Sequence, residues 1–230
     1  MTNRFAVIGL GQFGESIART LADRGAEVLA IDIDLDKVEL MKDDVAYAVA
    51  LDSTDVKALR AQNIQDMDAV VVAIGENFEG LLLTTVLLLE LEVKRIIARA
   101  ANSQQRMILE KMGITEILSP EETVGKTVGE MLLHPNMRSF LPLPDNYEIV
   151  EINTPTRVVD QTISEIGLRE KYNLNLITVK RFFDEKKGDK MEKVEHIIGV
   201  PRADTFLKET DIMIILGKSQ DVNKFIEVNK

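Results

Sequence analysis

Apolar residues follow two alternating rhythms through the first 118 positions. Short runs, mostly of Val, Ile and Ala, occupy 5–8, 28–32, 46–50, 69–73, 95–99 and 116–118. Between them apolar positions recur every three or four residues, as at Phe13, Ile17 and Leu21, with charged residues on the opposite side. The runs predict strands buried on both faces, and the wider spacing predicts helices. Such alternation requires crossover helices and predicts a doubly wound parallel sheet.

The pattern then changes. "HPNMRSFLPLPDN" holds Pro135, Pro142 and Pro144, half of the six prolines in the chain. Proline neither continues a helix nor pairs in a central strand, so a boundary is expected between a domain at 1–135 and one at 143–230. Beyond it, strands are expected at 148–153, 175–180, 196–200 and 211–216, with helices at 162–171 and 219–228. Together these predict a small α+β domain. "FFDEKKGDKMEK" (182–193), charged and centred on Gly188, reads as a solvated hairpin or loop.

One helical segment, "GLLLTTVLLLELEV" (80–93), is apolar on more than one stripe. It is shorter than the roughly 20 residues of a membrane span. A second buried face is therefore expected, covered either by a partner subunit or by neighbours within its own domain.

Charge and composition narrow the function. With 38 acidic and 28 basic residues the net charge is −10, which argues against nucleic acid as a partner. No cysteine is present, so disulfide, thiolate-metal and thiol chemistry are out of reach. The first residues enter a strand without a signal-peptide pattern, and the expected location is cytoplasmic.

Gly9, Gly11 and Gly14 form G-x-G-x-x-G directly after the first strand and at the mouth of a helix. That context suits a dinucleotide fold, with the phosphates on the helix N-terminus. Asp32, at the end of the second strand, is placed to accept from ribose hydroxyls and would repel a 2′-phosphate. Asp34 is the better cap for the following helix. Candidates for catalysis are few: His134 beside a proline, and His196 in a strand of the second domain. No Tyr-x-x-x-Lys pair, G-x-S-x-G elbow or Walker A lysine occurs. Binding without chemistry is favoured, and a small NAD-dependent oxidoreductase is the alternative.

"FAVIGLGQFGESIARTL", "AIDIDLDKVE", "ALDSTD", "VVVAIGEN", "IIARAAN" and "GITEILSPEETVGK" resemble the nucleotide-binding RCK or TrkA-N domain of Trk and Ktr potassium-transport regulators. "IGLREKYNLNLITVKR" and "ADTFLKETDIMIILG" resemble its TrkA-C partner domain. The resemblance implies a Rossmann domain that binds ATP, ADP or NAD(H). It also implies a homodimer assembling into an octameric ring, docked on a membrane-embedded potassium channel subunit at the inner face of the cell membrane. Gating, rather than catalysis, is the implied role.

By the same resemblance Gly9, Gly11, Gln12, Phe13 and Gly14 match the phosphate loop, and Asp32 with Ile33 the ribose end. Asp52 and Ser53 match positions flanking the adenine, although Asp52 reads equally well as a helix cap. Ala73 and Ile74 match the apolar rim. Arg99 matches a phosphate-facing base, with a surface ion pair as its alternative. Ktr-type members carry arginine where this chain has neutral Gln12, which puts strong selection of ATP over ADP in doubt. Glu121 matches a glutamate that helps hold Mg²⁺ or Ca²⁺ beside the phosphates. Its neighbours read as a capping box, with Ser119 as cap, Pro120 first in the helix and Glu122 closing the box. Some Ktr-type C-terminal domains bind cyclic di-AMP, which points to Arg169, Ile166 and Ile177 here.

Overall fold

In a computed structural model the chain is described over residues 3–133, 137–187 and 190–230. His134, Pro135 and Gly188 lie outside the described residues. The chain packs as two compact units, Met1–Val124 and Gly125–Lys230.

The first unit alternates as its apolar rhythm predicts. In order come β1 (Arg4–Ile8), α1 (Gln12–Asp23), β2 (Glu27–Asp32), α2 (Leu35–Met41), β3 (Tyr47–Ala50) and α3 (Val56–Ala61). Then follow β4 (Ala69–Val72), α4 (Phe78–Glu90), β5 (Ile96–Arg99), α5 (Ser103–Lys111), β6 (Glu116–Leu118) and the start of α6 (Pro120–Leu133). The six strands pair in parallel in the order β3-β2-β1-β4-β5-β6. Alternate strand residues serve opposite faces: Ala6 and Ile8 join one buried cluster with Leu81 and Leu88, while Val7 joins another with Ala18 and Val28. Two-sided burial is why these strands carry unbroken apolar runs. Strand order reverses between β1 and β4, and a crevice opens there at the strands' carboxyl ends.

Helix α4 buries Leu81, Thr84, Thr85 and Leu88 but leaves Leu83, Val86 and Leu89 exposed at 48%, 40% and 39%. Its second apolar stripe is therefore not covered by its own unit.

The second unit is a five-stranded antiparallel sheet in the order β10-β9-β11-β8-β7. Its strands are β7 (Met137–Pro142), β8 (Tyr147–Asn153), β9 (Asn175–Lys187), β10 (Lys190–Ile197) and β11 (Ile212–Lys218). Val150, Ile152, Val179, Met213 and Ile215 pack against Phe225 of α9 (Ser219–Val228). Two local expectations are corrected, and the bounds of a third are refined. Residues 137–142, expected at a boundary, form an edge strand, which tolerates Pro142 at its end. The helix expected over 162–171 breaks into α7 (Ile163–Ile166) and α8 (Leu168–Tyr172) at Gly167, which takes φ +65°. The charged segment is one of the two forms expected, a hairpin, but β9 continues to Lys187 instead of ending at 180, and β10 spans Lys190–Ile197 instead of 196–200.

Candidate functional site

The crevice is a cleft of about 1010 Å³, lined entirely by the first unit. Every nucleotide-site residue expected from the sequence lines it except Gly14, which lies buried beneath the turn.

The turn after β1 depends on Gly9, whose φ of +96° suits glycine. Its N–H donates to the Ile31 carbonyl at 2.7 Å and clips the turn to β2. Gly14 meets a different demand. A Cβ there would lie 1.8 Å from the Gly9 oxygen, so α1 can close onto the turn only without one. Gly11 serves as the N-cap of α1 and supplies no side-chain acceptor. First-turn N–H groups of α1 are thus left for a ligand, with the helix dipole favouring an anion. Gln12 and Phe13 begin the helix at the same edge of the cleft.

Asp32 is 8% exposed and braces this loop. Its Oδ2 accepts from Leu10 N at 2.6 Å and its Oδ1 from Asp34 N at 2.9 Å. Asp34 caps α2 by accepting from Asp36 N, which removes the helix-cap alternative for Asp32. Ile33 stands 73% exposed beside it.

After β3, Asp52 Oδ1 accepts from both N and Oγ1 of Thr54, at 2.9 and 2.7 Å. The Thr54 hydroxyl, followed by its N–H, holds the carboxyl below its ordinary value. Asp55, rather than Asp52, caps α3. Ser53 is buried, and its hydroxyl pairs with Thr84 Oγ1 at 2.7 Å, tying the β3 loop to α4. Ala73 and Ile74 close the rim after β4, so close to Gly9 that a Cβ there would meet their backbone at 3.0 Å.

Arg99 ends β5 with its guanidinium 5.5 Å from the centre of the Phe13 ring. It also packs on Gly75, where a Cβ would lie 2.6 Å from Nη1. Its Nη2 pairs with Glu121. Its buried Nε has no hydrogen-bond partner among the described residues. The ion pair offered as the alternative to phosphate contact therefore exists, and it exists inside the cleft. Glu121 is not left unused beside a capping box. Its own backbone N–H, and then Arg99, hold its carboxyl below the ordinary value. Ser119, expected as the cap, directly precedes α6 and its carbonyl accepts from Thr123 N at 3.0 Å, while its hydroxyl also accepts from Arg106 Nη2 at 3.1 Å.

As a metal centre this chain is incomplete. Glu121 is a single carboxylate already paired, and no group of three or more His, Asp or Glu able to hold a metal occurs among the described residues. In the second unit Ile166 is 2% exposed within the core, which removes it as a cover for a cyclic di-AMP base. Arg169 donates to Asn175 Oδ1 at 3.0 and 2.6 Å. His196 pairs with Glu185 at 2.9 Å on β10.

Several cleft residues were not expected. Lys37 stands 3.9 Å from Asp32, and Glu76 precedes Asn77, which caps α4 by accepting from Gly80 N at 3.0 Å. An Asn before an apolar helix is itself a helix-start signal in "VVVAIGEN". Around the cleft the charged groups are four carboxylates, Asp32, Asp52, Glu76 and Glu121, against two cations, Lys37 and Arg99. Each cation lies within 4 Å of one of those carboxylates.

Residues 5–120 match the TrkA-N domain family, and 147–229 the TrkA-C domain family. Ktr system potassium uptake protein C of Bacillus subtilis (strain 168) is 35% identical over 225 residues, covering 98% of this chain and 96% of its own. Among solved structures, the GsuK RCK domain superposes with a TM-score of 0.65 at 15% identity, covering 100% of this chain and 48% of that one. The NAD(P)-binding domain of an exopolyphosphatase-related protein from Archaeoglobus fulgidus reaches a TM-score of 0.50 at 25% identity. It covers 56% of this chain and 96% of that one.

Proposed function

The chain belongs to the family built from TrkA-N and TrkA-C domains, and from that premise we propose that it is the nucleotide-sensing regulatory subunit of a potassium uptake system. The observation that carries this reading is the cleft at the sheet's reversal, where a glycine turn, a capless helix start and Asp32 converge. These features support an adenine nucleotide as the ligand, either ATP/ADP or NAD(H). The likeness to an NAD(P)-binding domain supports the dinucleotide. The buried Asp32 disfavours a 2′-phosphate and so NADP. Any Mg²⁺ or Ca²⁺ at Glu121 would take its remaining ligands from nucleotide phosphates, as magnesium commonly does.

The protein acts by binding rather than by chemistry. Asp32, Asp52, Arg99 and Glu121 all engage neighbours in the cleft. A small NAD-dependent oxidoreductase would instead transfer hydride at about 1 per second or faster. The Bacillus Ktr relative supports a membrane-embedded potassium channel subunit as partner, with this chain at the cytoplasmic face of the membrane. The uncovered stripe of Leu83, Val86 and Leu89 supports a homodimer that assembles further into an octameric ring. A cyclic di-AMP site in the second unit would have to rest on Arg169 and exposed Ile177 alone. Parallel calorimetric titrations with ATP, ADP, NAD and NADH test the reading. At least one must bind to the wild type, and binding must weaken in Asp32→Ala.

A further inference from the structure

The cation that a nucleotide's outer phosphate would seek is already neutralised by the chain itself. Arg99 is held in place from below. Phe13 lies under its guanidinium, Gly75 leaves the room that guanidinium fills, and its buried Nε reaches no acceptor among the described residues. Its ionic partner is held far less firmly. The Glu121 side chain is 51% exposed, against 20% for Arg99, so water can solvate the carboxylate once it lets go. Of the two partners, Glu121 is the one able to leave.

We propose that Glu121 is a specificity-determining residue which competes with the nucleotide's outermost phosphate for Arg99. This rests on the reading of the cleft as a nucleotide site. An incoming phosphate must displace a carboxylate before it gains the guanidinium, and until then it meets like charge. The opposition grows with the total charge that the phosphate chain brings to the cleft. It is therefore greatest for ATP, and least for AMP, whose single phosphate the α1 N-terminus would hold. Neutral Gln12 offers no second charge to offset it. The cleft is thereby biased against highly phosphorylated ligands until Glu121 is neutralised.

The sign of one substitution decides the matter. Glu121→Gln keeps the side chain's size and removes its charge, and Glu122→Gln removes an adjacent charge that does not pair with Arg99. Titrations of the full chain with ATP, ADP and AMP in EDTA exclude any cation bridge. Glu121→Gln should bind ATP about two- to fivefold more tightly, the equivalent of a partly exposed ion pair, and AMP unchanged. Glu122→Gln should change all three alike, and the gain should vanish in the Arg99→Gln/Glu121→Gln double variant. Unchanged or weaker ATP binding by Glu121→Gln, with the wild type still binding nucleotide, overturns the competition alone. No nucleotide binding by either protein overturns the site reading and the competition together.

Discussion

Asp32→Ala should fail in two separable ways, because the carboxylate has two tasks. In the ligand-free protein it accepts from Leu10 N at 2.6 Å and Asp34 N at 2.9 Å. The Leu10 N–H is buried, and water cannot readily replace the lost acceptor. Leaving a buried donor unsatisfied costs about 1–3 kcal/mol, which for a unit of this size lowers the melting temperature by roughly 3–10 °C. Ribose hydrogen bonds to a charged acceptor are worth roughly 1.5–3 kcal/mol, so adenine nucleotide affinity should fall at least about tenfold. Asp32→Asn keeps an acceptor oxygen but turns an amide N–H toward one of the two donors, and should lie between the wild type and Ala in both measurements. Melting curves give the first effect, and calorimetry well below the variant's transition gives the second. A variant that melts early yet binds nucleotide with unchanged affinity would show that Asp32 is only a strut for the loop.

Gly14→Ala should abolish folding of the first unit, since its methyl would lie 1.8 Å from the Gly9 oxygen, whereas Gly11→Ala should fold normally. Equal circular dichroism and melting for the two variants would contradict the packing described. Light scattering should find the wild type as a dimer or larger ring, and Leu83→Glu with Val86→Glu should shrink it; a wild-type monomer at micromolar concentration would refute the exposed stripe as an interface. Mg²⁺ or Ca²⁺ should raise the melting temperature more with ATP than with ADP, a difference lost in Glu121→Gln and kept in Glu122→Gln; like behaviour of the two variants would remove the metal role. Thr54 holds the Asp52 carboxyl low, and the Thr162 N–H and hydroxyl do the same for Glu165. Depressed groups stabilise above their unfolded-state values and lose that contribution as pH falls through their folded ones, so melting temperature should drop below about pH 4.5. A profile flat from pH 5 to 3 would contradict this.

What could be read from the sequence was what local pattern controls. Strands β1, β2 and β4 fall within about two residues of their apolar runs, because burial on both faces leaves no polar position inside them. The glycine turn and Asp32 were legible for a similar reason, since their roles follow from backbone geometry at fixed spacing. Pairings across long separations were not legible. Ser53 answers Thr84, 31 positions away, and Arg99 answers Glu121, 22 away. Ser119 stands at a helix start as its local pattern suggests, but the approach of Arg106 of α5 to its hydroxyl was not legible. In the second unit the charged run 182–187 left hairpin and loop undecided and β9 ending at 180, because a hairpin solvated on its faces needs no apolar alternation. Gly167 fits a helix of alternating apolar positions, and only its left-handed backbone ends α7.

Potassium flux tests the central claim most directly. Vesicles carrying the potassium-channel subunit proposed as the partner of this chain should take up potassium at a rate that depends on both the added chain and its nucleotide. The nucleotide dependence should disappear with Asp32→Ala. Flux that is the same with and without the chain, at saturating nucleotide, would contradict a regulatory subunit.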